Sequence, residues 1–379
     1  MTSNFDIGIV GLGAVGSAAL YHASARGVRA VGFDLLDPPH TIGSSHGGSR
    51  IIRRAYFEGA MYVPLLTRAY ELWRDLEEKS GEPLLHLNGC LTIGRSDGQL
   101  IAGAYESTKT FDIPCERLDS PDVHRRFPAF QLREDETALW EPEAGWLHPE
   151  ASIRAHLKLA DESGAEIRRN EPVRTWGASG AGLRIETDRG TYDIGRLILC
   201  AGGWIGPLLS EIHVPLHIER QVNAWFQPIA DDDRFSPEKC PAYVWEYAPD
   251  DVLYGFPDTG RGVKTGLHHS GDRVDHPDEL DRQVHDADVE ALRRQTVRLL
   301  PQACGSVNES ATCFYTNTPD GHYLIDWHPG LDRVVFASAC SGHGFKASSA
   351  VGESLVQMAV DETPVVDISP FRLKRFFKA

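Results

Sequence analysis

Cys313 stands two residues before Tyr315 in the stretch TCFYTNTPDGHYLID, and a thiol there needs a reason. The choices are a small buried hydrophobe, a metal ligand, a redox thiol or a point of covalent attachment. The cysteines are Cys90, Cys115, Cys200, Cys240, Cys304, Cys313 and Cys340. Their number is odd and no two form a C-x-x-C pair, which argues against a zinc knuckle or a disulfide framework. A second chemical signal is GLGAVG near the front. Gly11 there makes a tight turn, Gly13 lets the backbone approach a pyrophosphate, and Gly16 lets a helix and a strand pack closely. The acid Asp34, 18 residues after Gly16, can accept a hydrogen bond from a ribose hydroxyl.

The elements around these residues must place them. FDIGIV reads as a strand, SAALYHASARG as a helix ended by Gly27, and VRAVGFD as a second strand closing on Asp34. Together they form a βαβ nucleotide-binding unit whose helix N-terminus offers free N–H groups to phosphates. YVPLLTRAYELWRDLEEKSG carries Leu65, Leu66, Ala69, Leu72, Trp73 and Leu76 at helical spacing, with Gly81 just beyond. The stretch from CLTIG to ALWEPEAGWLHPE reads as strands and loops. ASIRAHLKLADESGAEI then gives a helix and a strand. PVRTW and LRIETDRGTYDIGRLILC give strands with a turn at Asp188-Arg189-Gly190. The strand ending at Ala201-Gly202-Gly203-Trp204 looks like a second nucleotide contact. From Ile218 to about Ala248 the chain is aromatic and β-branched, VLYGFPDTGRGVKTGLHHSG continues it as hairpins, and DADVEALRRQTVRLLP is an amphipathic helix. DRVVFASACSGHGFKASSAVGESLVQMAV is a strand, a glycine-rich turn and a helix, expected to share a sheet with the front unit.

Composition bounds the function. The chain has 379 residues, long for one core, so two domains are expected. Hydrophobic residues at 41% and charged residues at 24% are ordinary for a soluble globular protein. A net charge of −16 would repel nucleic acid. No apolar run approaches the about 20 residues of a membrane span. MTSNFDIGIVGLGAVG lacks the features of a signal peptide, and RFFKA is not a peroxisomal address, so a cytoplasmic location is expected.

DPPHTIGSSHGGSRIIRRAYFEG, YGFP, GVKTGLHHSG, CFYTNTPDGHYLID and SGHGFKASSAVGE follow in an order and spacing that resemble a known family. The chain looks like the monomeric sarcosine oxidase and N-methyltryptophan oxidase group of flavoproteins, within the D-amino-acid-oxidase-like superfamily. The similarity runs nearly end to end. It implies an α/β fold: a Rossmann-like FAD-binding domain plus a discontinuous substrate domain with a mostly antiparallel sheet. The expected division is residues 1–85, 150–215 and 310–379 for FAD, and 86–149 and 216–309 for the substrate.

The resemblance also implies roles. Cys313 would form a thioether to a methyl group of the FAD ring. Gly342 and Gly344 would bring backbone N–H groups, and the following helix its positive end, to the reduced ring. Further cofactor contacts are implied at Ala14, Val15, Ser45, Ser49, Val173, Gly202, His343 and Phe345. Arg53 and Lys346 are the implied clamp for a substrate carboxylate, and Lys346 also faces the flavin. Arg50 and His46 would lie near the flavin, with Tyr254, His268 and Tyr315 lining the substrate pocket. Lys264 matches the lysine that stabilises superoxide as oxygen takes an electron, an electrostatic task for a preorganised cation. One departure stands out: the family commonly has an acid in its HGDTR-like stretch, whereas this chain reads His46-Gly47-Gly48-Ser49-Arg50. The second glycine is expected to loosen that loop. Trp225, Trp245 and Tyr247 are expected to face the flavin and make the pocket more aromatic than sarcosine requires.

The expectation is a monomeric FAD enzyme that oxidises a secondary amine, such as sarcosine or N-methyltryptophan, to an imine while O2 becomes hydrogen peroxide. Neither a metal nor a macromolecular partner is implied. The rivals are an oxidase of a cyclic or glycated amino acid, a nicotinamide-dependent dehydrogenase, and a flavin-binding protein without turnover.

Overall fold

The computed structural model describes residues 3–212, 214–229 and 231–377, so the final two residues of RFFKA lie outside it. The first strand, Ser3–Val10, buries Ile7, Ile9 and Val10 and is paired in parallel on both sides. Its neighbours are Ala30–Phe33 and Gly190–Leu199. Burial on both faces is what a parallel strand needs, and the helix Ala14–Ser24 supplies one cover. Leu331–Ser338 adds in parallel beyond Gly190–Leu199, so the front unit and the late strand share one eight-stranded sheet, as expected. The helix that follows, Ser348–Ala359, is buried along its whole length. It lies so close to the first helix that a side chain on Gly352 would meet Ala19 N at 2.7 Å. The Val63–Ser80 helix ends at Gly81, whose φ of 70° closes it, and all six apolar residues of its expected inner face are buried.

The second sheet has nine strands and is mostly antiparallel. Its centre runs Cys90–Arg95, Ala242–Ala248, Asp251–Asp258, Val263–His268 and His217–Phe226. Val307–Asn317 pairs with His217–Phe226 along its length, bringing Cys313 opposite Gln221. Cys313 therefore rides on the second sheet, and a boundary at 310 would cut its strand. The front region also crosses the expected division: Arg50–Ile52 and Leu85–His86 both pair with Gly145–Leu147. Two helices lie where strands and loops were expected, Gln99–Phe111 and Ser120–Arg126. Two of the five buried residues of the first, Ser107 and Thr108, are polar, so its apolar stripe of Leu100, Ile101 and Ala104 is short. Its Gly103 permits contact with Phe57, since a Cβ there would sit 2.9 Å from Phe57 O. The second is only two turns long, and its signal is the Asp119 carboxylate accepting from Asp122 N at 2.8 Å.

Candidate active site

The glycine turn opens one end of a cavity of about 630 Å³. Gly11 has φ of 89°, and a side chain on it would strike Ala201 Cα at 2.6 Å. Gly13 faces open space, its nearest neighbour being Ser45 Oγ at 4.0 Å. No side chain caps the Ala14–Ser24 helix and its first turn holds no acid, so its N–H groups are available to an anion. Gly13, Ala14, Val15 and Ser45 line the cavity together. Gly16 does not; a Cβ there would lie 1.7 Å from Gly11 O, so this glycine seals the helix onto the turn.

Asp34 lines the cavity with a buried carboxylate. It accepts from Leu12 N at 2.8 Å and Leu36 N at 3.1 Å, with His40 Nε2 at 3.2 Å, so it also holds the turn itself. Val173 and Gly202 complete this end. A cavity bounded by a glycine turn, an uncapped helix N-terminus and a buried acid fits a dinucleotide.

Cys313 lies farther along the same cavity and is buried. Asn223 Nδ2 faces its Sγ at 3.6 Å, and Asn223 Oδ1 accepts from Tyr254 OH at 2.9 Å. Burial pushes the thiol's pKa up, while the charges of Arg50 and Lys264 pull the other way. Arg50 lines the cavity and donates to the carbonyls of Ser49 and Ser44, each at 2.8 Å.

Lys264, His46 and Ser49 adjoin the cavity without lining it. Lys264 Nζ donates to Gly47 O at 2.8 Å, to Ser49 O at 3.0 Å and to Ser49 Oγ at 3.2 Å. It also sits 4.9 Å from the ring of Phe256, which does line the cavity. Burial, reinforced by Arg50, drives the lysine pKa well below its usual value. His46 is buried with Nε2 unpartnered, and burial with the neighbouring Arg50 lowers its pKa to about 4.

Cations meet at the far end. Arg53 is buried, but its fork is already occupied: Nη2 donates to both oxygens of Glu58, at 3.0 and 2.8 Å, and Nη1 to Ala55 O at 2.5 Å. The expected clamp is thus half committed to an internal carboxylate. Lys346 Nζ instead donates to Tyr56 OH at 3.2 Å and His343 O at 2.8 Å. Burial brings its pKa down to about 7, partly offset by Glu58. Lys346 lies in the short 3-10 turn Phe345–Ala347 ahead of the last helix, which starts at Ser348, so Ser341 does not cap that helix. Gly342 has φ of 79° and faces His268 and Tyr315; a Cβ there would meet the His268 ring at 2.5 Å. Gly344 packs on Ala339 O, where a Cβ would come within 1.7 Å. His343 and Phe345 line the cavity beside these glycines, and His268 Nδ1 lies 3.1 Å from Tyr315 OH.

The aromatic expectation fails: none of Trp225, Trp245 and Tyr247 lines the cavity. Trp245 is buried in the core under the second sheet, donating to Glu136 Oε1 at 2.6 Å, and Tyr247 packs beside it. Strand alternation explains this: Val244 turns to the cavity, so Trp245 turns away. Trp225 shares the face of Lys264 but does not line the cavity. The wall is instead Ile51, Phe57, Val244, Val252, Tyr254 and Phe256. Glu58, Asn223 and Glu150 were not singled out in the sequence. Only Glu58 had a nearby signal, an acid five residues after Arg53.

No helix among the described residues is long and apolar enough to cross a membrane. The family model for FAD dependent oxidoreductases matches residues 6–358. Monomeric sarcosine oxidase of Streptomyces avermitilis is 42% identical over the whole of both chains. N-methyl-L-tryptophan oxidase of Salmonella agona is 34% identical, covering 98% of this chain and 99% of that protein. Among solved structures, NikD, an unusual amino acid oxidase essential for nikkomycin biosynthesis, superposes with a TM-score of 0.85 over 98% of each chain at 24% identity. A glycine turn, a buried acid and an apolar cavity between two sheets thus meet a full-length match, and the chain belongs to the family of FAD-dependent oxidoreductases.

Proposed function

We propose that this protein oxidises the secondary amine of an N-methyl amino acid to an imine, with O2 reduced to hydrogen peroxide. The observation that carries this reading is one cavity with a dinucleotide cradle at one end and the buried cation Lys346 at the other. FAD, when bound, supplies the two-electron acceptor that these side chains lack. The Gly11–Gly16 turn and the first helix would hold its phosphates, and Asp34 would accept from its ribose. Cys313 would be the residue that tethers the ring, with Asn223 facing the sulfur. Lys346 binds the substrate carboxylate, and Arg53 joins it only if Glu58 yields. Tyr254, His268 and Tyr315 bound the amine, and Arg50 and His46 lie on the flavin side. Lys264 holds positive charge next to the place where oxygen gains electrons.

The first sheet forms the cofactor domain and the second the substrate domain, and the enzyme works as a cytoplasmic monomer. A cyclic amino acid is a second reading, favoured by the aliphatic wall of Ile51, Val244 and Val252, which can bury ring methylenes. The polyol of a glycated amino acid would leave its hydroxyls unpaired there. A peroxide assay across sarcosine, N-methyltryptophan, proline, pipecolate and a fructosyl amino acid tests the reading. Peroxide from the N-methyl substrates is expected. Peroxide from none of the five would reject it.

A further inference from the structure

Lys264 has three acceptors and none is a carboxylate: they belong to Gly47 and Ser49. The position of its charge therefore depends on the backbone of a glycine pair. Gly47 and Gly48 have φ of 95° and 78°, a conformation that only glycine adopts readily. A side chain on Gly48 would be strained at that φ and would have to displace the Arg261 guanidinium, 2.6 Å away, so replacing that glycine is a poor way to stiffen the loop. Stiffness comes from elsewhere. Glu150, in the first turn of the Pro149–Glu162 helix, accepts from Gly47 N at 2.6 Å and from Gly48 N at 3.1 and 3.2 Å. His148, the residue before that helix, donates from Nδ1 to Gly48 O at 2.8 Å. The peptide units of the loop are thus held on the N–H side by Glu150 and on the carbonyl side by His148 and Lys264.

Charge follows the same path. Burial pushes the Glu150 carboxyl up, but the backbone N–H donors, Gly48 among them, and Arg50 outweigh it and keep it ionised below the usual range. An anion on the Gly48 N–H polarises the Gly47–Gly48 peptide unit, so its carbonyl, Gly47 O, becomes a better acceptor for Lys264. The loop of this chain has no acid of its own between His46 and Arg50, and Glu150 returns one from a helix about a hundred residues away.

We propose that Glu150 is a positioning residue for Lys264, setting through the Gly47–Gly48 backbone how fast the reduced enzyme reacts with oxygen. This rests on the reading of Lys264 as the oxygen-facing cation, and the test separates the two. Stopped-flow reoxidation and anaerobic reduction are measured for wild type, Glu150→Ala, Glu150→Gln, Lys264→Met and the double variant Glu150→Ala/Lys264→Met. Hydrogen exchange of the peptide covering 45–50 is followed on each holoenzyme.

Lys264→Met should slow reoxidation roughly 10²–10³-fold, the scale for one preorganised electrostatic contact. Glu150→Ala should slow it about 10–100-fold, the scale for displacing a working group by about 1 Å. Anaerobic reduction should change by less than about threefold, exchange in 45–50 should rise, and Glu150→Ala should add nothing once Lys264 is gone. Glu150→Gln keeps one acceptor oxygen and should fall between, and it carries the comparison if Glu150→Ala does not fold. A slow Lys264→Met beside Glu150 variants that reoxidise like wild type would overturn the positioning role alone. An undiminished Glu150→Ala effect in the Lys264→Met background would do the same. Wild-type reoxidation in Lys264→Met would overturn both readings.

Discussion

Replacing Lys346 by methionine removes a buried cation of the proposed substrate end that, unlike Arg53, is not hydrogen-bonded to a carboxylate. Lys346 is 5% exposed, so solvent does little to screen it. Its pKa of about 7 means that the free enzyme carries this charge in acid and loses it in base. The groups around it do not titrate alongside. His343 is held near 4, chiefly by burial, and His268 well below its usual value for the same reason. Glu58 is kept ionised, because Arg53, His343 and Lys346 outweigh the effect of burial.

A bound carboxylate favours the protonated amine. Affinity for a small carboxylate that lacks an amine, such as 2-furoate, should therefore be highest below pH 7. Above it, affinity should fall by up to about tenfold per pH unit until the pKa of the complex is reached. Truncating one partner of a buried charge pair costs about 2–5 kcal/mol, or roughly 30-fold to 4,000-fold in Kd. Lys346→Met should show that loss at pH 6 and a flat profile from pH 6 to 9. The assay is titration of the flavin absorbance with 2-furoate at each pH. A wild-type Kd that does not change with pH, together with an unchanged Kd in Lys346→Met at pH 6, would refute the reasoning.

Cys313→Ala should give a folded, yellow protein that releases its flavin on acid precipitation, whereas wild type should keep colour in the pellet; colour that stays with the mutant pellet places the tether elsewhere. Gly16→Ala puts a Cβ 1.7 Å from Gly11 O and should abolish FAD retention or folding, read by flavin content per chain. Glu58 has a folded pKa below its unfolded value, so its contribution to stability is present at neutral pH and is lost as pH falls through the folded pKa. Glu58→Gln should flatten that acid loss in a denaturant series. It should also tighten carboxylate binding, by leaving the Arg53 fork without its counter-charge.

The cofactor half of the molecule was legible because its signals are local. Gly11, Gly13, Gly16 and Asp34 lie within one βαβ unit; Gly16 packs on Gly11 there, Gly11 on the adjoining strand end, and Gly13 stays open to the cavity. The second sheet depends on pairings across the chain. Cys313 was read as the point of flavin attachment and it lines the cavity, but its strand joined the second sheet through His217–Phe226, a pairing of segments about ninety residues apart. Trp245 was misplaced because aromatic content shows that a strand is buried, not which face each side chain takes; parity against Val244 decides that. Glu150 left no trace, since an acid opening a helix is an ordinary dipole partner until Gly47 and Gly48 are brought to it. Arg53 was read through the resemblance as a carboxylate clamp, but its commitment to Glu58 is a matter of geometry.

The most direct test of the proposed chemistry is an anaerobic mix of the purified enzyme with sarcosine or N-methyltryptophan, beside the methyl ester of each. The free acids should bleach the flavin completely, and readmitted oxygen should restore the colour with one peroxide per flavin. The esters, having no carboxylate for Lys346, should bleach it far more slowly. A flavin that stays oxidised with every N-methyl acid, or that esters and acids reduce equally fast, would contradict an amine oxidase that grips its substrate by the carboxylate.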